Sequence, residues 1–200
     1  MSVAIEVFSL AHLTRVDPEG AAWIRESLAV VNAILEDHGL ATFVEPESSP
    51  NDLPQMRSIG GFPYSHLYTL HLAYSRARLG LTATIEPEGV TIERVAALLD
   101  SHLLCHNIAA GFYVPVDFQR PITDSRMEQS TLGSSIALLR ELRFVAPTLG
   151  IALDDTGQPS AAALEGLRNP QETDHEKIVW YRLFEAASVS QQYGTAISFE

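Results

Sequence analysis

A chain of 200 residues with 46% apolar content can bury a domain-sized core, so size alone demands neither disulfides nor a structural metal. Its formal charge is −12, from 25 acidic and 13 basic residues; acid exceeds base in each of 1–60, 61–120 and 121–200, so the charge is spread over the body rather than carried on a tail. A field of that sign repels phosphate backbones, which argues against direct nucleic-acid binding and makes a basic protein the natural complement, with plain solubility as the simplest use of the charge.

The pattern predicts a first strand over 3–8. A helix follows, with Asp17 as its cap, Pro18 at its first position and Gly39 as its stop. Trp23, Ile24, Leu28, Val31, Ile34 and Leu35 recur along it at helical spacing. Residues 41–44 read as a short strand. Residues 45–61, with three prolines and a Gly-Gly pair, read as a long loop. A second helix is expected over 64–79, with Leu67, Leu70, His71 and Tyr74 on one face. His71 there reads as a satisfied core histidine, and His66 points about 140° away from it. A strand over 81–85 and a helix capped by Thr91 come next.

Farther on, 134–146 reads as a helix ended by Pro147. Gly133-Ser134-Ser135 at its start reads as serine capping, with an anion site on free N–H groups as the alternative. Asp154-Asp155-Thr156-Gly157 reads as a turn rather than a cation loop. A short helix is expected over 159–168. The last helix opens on a capping box of Thr173 and Glu176, carries Val179, Trp180, Leu183, Phe184 and Ala187, and stops at Gly194. Residues 195–199 close the chain as a strand. Interspersed helices and hairpin-like strand pairs predict one α+β domain over 1–200. Its sheet is expected to be mixed or mainly antiparallel, with a central hairpin and about five helices packed on it.

That central hairpin is the segment 102–118. If 102–107 pairs with 112–118 across a four-residue loop, Leu103, Cys105, Phe112, Val114 and Val116 fall on one face, and His102, His106, Tyr113 and Asp117 on the other. The competing reading continues a helix through His106, which puts His102 and His106 at i, i+4 metal-ligand spacing. It lacks the glutamate that follows the first histidine in the helical zinc motif. In the hairpin, an Asp beside a His orients the ring and raises its basicity, so His102, His106 and Asp117 form a candidate acid/base set with Tyr113 as hydrogen-bond donor. The same His102, His106 and Asp117 are the alternative ligands for a divalent metal. The plainer reading is a solvated polar sheet face. No cofactor motif is present: there is no P-loop, no G-x-S-x-G elbow and no C-x-x-C.

Cys105 is the only cysteine, so no internal disulfide forms, and burial on the apolar side would blunt its thiol. The first residues lack a basic n-region, and no apolar run approaches the roughly 20 residues of a membrane span. A cytoplasmic protein with no membrane partner is the expectation. The runs His102-Leu103-Leu104-Cys105-His106, Gly111 to Phe118 and Leu132-Gly133-Ser134-Ser135 resemble a family of uncharacterised bacterial proteins to which no activity is attached. By analogy, small acidic bacterial proteins of this kind include immunity proteins that neutralise secreted toxins. The first functional expectation is therefore a protein-binding module with a basic partner. A small hydrolase or metal-assisted enzyme is second, and a homo-oligomer formed through an edge strand is third.

Overall fold

Val3, Ile5 and Val7 alternate with Ala4 and Glu6, and this period of two places the first strand, β1 (Ser2–Val7), inside a sheet. The computed structural model describes residues 2–48, 58–80, 98–105, 111–127, 131–171 and 173–199. Helices α1 (Ser9–Val16) and α2 (Pro18–Asp37) follow β1. Then come β2 (Ser58–Pro63), α3 (Tyr64–Leu79), the single turn α4 (His102–Cys105), β3 (Phe112–Val114), β4 (Ile122–Thr123) and β5 (Thr131–Ser134). Helix α5 (Ser135–Val145) runs into a 3₁₀ turn at Ala146–Leu149. Helices α6 (Ala161–Arg168) and α7 (His175–Tyr193) and strand β6 (Ile197–Phe199) complete the described residues. The predicted strand over 81–85 and the Thr91-capped helix start lie outside them.

The sheet is mixed, in the order β2-β1-β6-β3-β5-β4, with β3–β5 parallel and every other neighbouring pair antiparallel. This is the expected α+β class, with α1 and α4 beyond the helices read from periodicity. Both sheet faces are covered. Val3, Ile5, Val7, Tyr113 and Ile197 pack with α3, α5 and α7, where Trp180 is fully buried and its indole N–H donates to the Leu142 carbonyl at 2.7 Å. Val114, Leu132 and Ala196 pack with Ile24, Leu28, Val31, Ile34 and Leu35 of α2.

The α2 signals act as read: Asp17 caps the helix by accepting the Gly20 N–H, and Pro18 opens it. Trp23 departs from expectation, being 61% exposed. It sits about 100° around the helix from Ile24, off the stripe that faces the sheet. Residues 41–44 form no strand. Phe43 instead exchanges two hydrogen bonds with the Asn32 side chain, which supplies the donor and acceptor that a neighbouring strand would. The predicted loop ends early, because β2 begins at Ser58. Gly61 there serves close approach rather than a turn: a Cβ on it would lie 2.5 Å from the Val3 carbonyl oxygen.

The capping box at the start of α7 does not form. Asp174 is the N-cap, and its carboxylate takes the Lys177 ammonium and the Gln171 N–H instead. Between β1 and α1, Phe8 takes a left-handed backbone (φ 56°), a conformation costly for a residue with a Cβ. Its N–H donates to Thr195 Oγ1 at 2.9 Å, and its buried ring packs near Tyr193.

Candidate functional site

The predicted hairpin is not there. Residues 102–105 are a helical turn, and β3 pairs with β5 and β6 rather than with them. The alternation that suggested a strand spans too few residues to be told from one turn of helix. What decides the matter is Glu141, remote in sequence on α5. Its carboxylate accepts the His102 N–H (2.9 Å), the Leu103 N–H (2.7 Å) and the Ser101 hydroxyl (2.9 Å), capping the first turn of α4.

His102 is fully buried, and both ring nitrogens are engaged. Nδ1 accepts the Ser134 N–H at 2.9 Å, so the proton lies on Nε2, which donates to the Phe118 carbonyl at 3.1 Å. Burial holds its pKa down to about 4, against the Phe118 and Gln119 backbone. The Tyr113 hydroxyl, also buried, donates to the His102 carbonyl at 2.7 Å, and burial raises its pKa. Asp117 is exposed, with both oxygens taken by Arg140 at 2.5 and 3.1 Å. His106 lies outside the described residues. The structure thus joins His102 to Tyr113 through the main chain and turns Asp117 toward Arg140. A general base needs a lone pair that a substrate can reach, and His102 offers neither nitrogen. Among the described residues no three His, Cys, Asp or Glu side chains gather as a metal site.

The smaller expectations divide. Ser134 caps α5 by accepting the Ala137 N–H, and Asp154 Oδ1 closes a turn on Thr156 and Gln158. Cys105 is half-buried; its thiol contacts the Leu98 carbonyl, and burial raises its pKa. His71 is satisfied only in part: Nε2 is buried without a hydrogen-bond partner, and burial pushes the ring's pKa down to about 4 against a hydrogen bond to the Leu103 backbone. His66 stacks on His175, with ring centroids 3.8 Å apart.

One buried carboxylate escaped the sequence reading. Glu45 accepts the Thr195 hydroxyl and the Ala196 N–H, both at 2.6 Å, tying the segment after α2 to the entry of β6. Burial pushes its pKa up to about 7, although both hydrogen bonds favour the charged form. The native value lies above the reference 4.5. The stability this group contributes is therefore whole below pH 4.5 and lost as pH rises through about 7, on the order of 2 to 3 kcal/mol. His71 and His102 run the opposite way: native values near 4 against 6.5 make their contribution whole above pH 6.5 and lost as pH falls toward 4. Burial also raises Glu141 and lowers His66, so the lowered histidines still outnumber the raised glutamates by one, and stability rises with pH between 4.5 and 6.5. Replacing Glu45 by glutamine removes one opposing group, and that slope is expected to roughly double. Guanidinium chloride unfolding at a series of pH values checks this; an unchanged slope contradicts it.

The outer face of α2 carries the other missed feature. Opposite the stripe that packs on the sheet, Glu19, Glu26 and Asp37 fall within about 20° of one line along the helix. Glu19 and Glu26 form no ion pair among the described residues, while Asp37 meets Arg126 at 2.8 Å. At 1.5 Å rise per residue the three are spaced about 10 and 16 Å apart, roughly three and five base-pair steps of a DNA strand. A seven-residue step from Glu19 to Glu26 and an eleven-residue step to Asp37 were the available signals. No helix among the described residues is long and apolar enough to cross a membrane.

Comparisons with curated proteins and with solved structures return no match. One family model does match, over residues 1–199, and its description is "Putative DNA-mimic protein". That description bears out a protein-binding role in coarse form. It also corrects the expectation about partners. Charge repulsion argues against nucleic acid as a direct partner, whereas in a DNA mimic the same charge imitates nucleic acid and so bears on proteins that bind it. A match across this span leaves no part of the described fold outside it, and the chain belongs to that DNA-mimic family.

Proposed function

We propose that this protein occupies the DNA-binding surface of a DNA-binding protein in place of the duplex, presenting the outer face of α2. The observation that carries this reading is the line of Glu19, Glu26 and Asp37 on a 20-residue helix whose inner face is fixed in the core. A DNA-binding surface is built to meet negative charges at set intervals, and it gains most from charges that need no ordering on contact. The helix supplies such charges in a chain of net charge −12. A mimic carries no condensed counterion layer to release, so its binding weakens less steeply with salt than the partner's binding to DNA.

The test starts from the DNA-binding proteins of the source organism, enriched on heparin and freed of nucleic acid by nuclease. These are passed over the immobilised chain, and the column is washed with duplex DNA. The reading predicts a protein that is retained and then released by the duplex. Retention that duplex DNA cannot reverse, or no retention, contradicts it.

A further inference from the structure

Helix α3 turns Leu67, Leu70 and Tyr74 into the core and leaves Tyr64, Tyr68 and Leu72 in solvent, 48, 64 and 37% exposed. These three and the exposed Arg76 follow one another at every fourth residue, so they form one ridge about 18 Å long on the outer face of the helix. Single exposed apolar side chains are ordinary on a folded protein, whereas an unbroken row of them marks a contact surface. The charge of this face departs from the rest of the molecule as well. In a chain of net charge −12, α3 contains no Asp or Glu and ends on Arg76 and Arg78, while α2, α5 and α7 all carry carboxylates.

We propose that this ridge is the interface of a homodimer, formed by two copies of α3 packed antiparallel about a twofold axis. Charge selects the occupant. A basic partner is drawn to the acidic parts of the surface and repelled by Arg76 and Arg78. A second copy of this chain, itself strongly acidic, meets least repulsion on the face that carries no carboxylate. The ridge is also complementary to itself. With the axis midway between Tyr68 and Leu72, Tyr68 of each copy packs on the partner's Leu72, and the Arg76 guanidinium reaches the ring of the partner's Tyr64. Tyrosine and arginine are the side chains that interfaces favour. Helices α3 and α2 cover opposite faces of the sheet, so the dimer leaves both α2 surfaces open and does not depend on what they bind. One helix ridge per copy lies at the small end of protein interfaces, and a dissociation constant of about 10–100 µM is expected.

Sedimentation velocity of the full chain between about 1 and 500 µM tests this. The mass should rise with concentration from that of a 21.9 kDa monomer toward twice that value. Added salt should tighten the dimer, because it screens the repulsion between two acidic chains. Tyr68→Lys and Leu72→Glu change exposed positions, so each variant should keep the far-ultraviolet dichroism of the parent chain while its dissociation constant rises at least about tenfold. Mixed in equal amounts, the two variants should form a dimer again. The introduced ammonium of one then faces the introduced carboxylate of the other, and the second contact of the pair keeps Tyr68 on the partner's Leu72. A chain that stays monomeric at about 500 µM, a dimer that survives both substitutions, or a mixture that remains monomeric overturns the proposal.

Discussion

Replacing Glu141 by alanine is expected to cost the fold about 3–5 kcal/mol, because three buried or half-buried donors lose one charged acceptor at once. The Ser101 hydroxyl and the N–H groups of His102 and Leu103 have no alternative partner in α4, which is a single turn and cannot satisfy its own first N–H groups. Loosening that turn also disturbs His102, which bridges the Ser134 N–H and the Phe118 carbonyl, and Tyr113, which bonds the His102 carbonyl. One substitution therefore acts on α4, β3 and the start of α5 together. Glutamine keeps one acceptor oxygen but turns an NH₂ toward the remaining donors, and about half of the loss should remain. Denaturant unfolding at pH 7 measures both variants. A loss below about 1 kcal/mol for alanine would mean that the Glu141 carboxylate does not hold this turn.

The second large effect is on binding. Glu19→Gln, Glu26→Gln and Asp37→Asn together remove the charged line on α2 while leaving Ile24, Leu28, Val31, Ile34 and Leu35 on the sheet. If Glu19 and Glu26 each meet a basic group of the partner, each contributes about 1 kcal/mol, Asp37 adds less because Arg126 already holds it, and affinity for the retained DNA-binding protein should fall by close to a hundredfold. Fold stability should hardly change, since exposed charges of this kind contribute little to it. Three substitutions of the same type elsewhere, at Asp155, Glu165 and Glu176, provide the comparison. They remove equal net charge from the opposite part of the chain sequence, so equal losses from both sets would reduce the effect to overall charge and remove α2 as the contact face.

The elements that were legible in the sequence are those whose signals are local. Asp17, Pro18 and the stripe from Ile24 to Leu35 define α2, and Gly194 ends α7, because caps and periodicity act within a few residues. The segment around His102 was illegible for the opposite reason. Its conformation is fixed by Glu141, 39 residues away in the chain from His102, and a five-residue alternation holds no information about so distant an acceptor. Glu45 was hidden in the same way, since its partners Thr195 and Ala196 follow 150 and 151 residues later. Trp23 was misplaced because it adjoins the apolar stripe in sequence but stands about a quarter-turn off it on the helix.

Function was legible only as far as the sign of the charge. Net charge predicts repulsion from phosphate, yet the same quantity describes a molecule that avoids DNA and one that stands in for it. What separates the two is the placement of carboxylates on a rigid surface, and for α2 that requires knowing which helix face the sheet already occupies. The Glu19–Glu26–Asp37 line emerges only after Ile24, Leu28 and Leu35 have been assigned inward.

Mutual exclusion is the physical content of mimicry, and the anisotropy of a fluorescent duplex bound to the retained partner measures it directly. As this protein is titrated in, the signal should fall to the value of free duplex, and the Glu19, Glu26 and Asp37 triple variant should need about a hundredfold more protein to achieve it. A signal that stays level or rises, showing the duplex and this protein held by the partner together, would contradict the account.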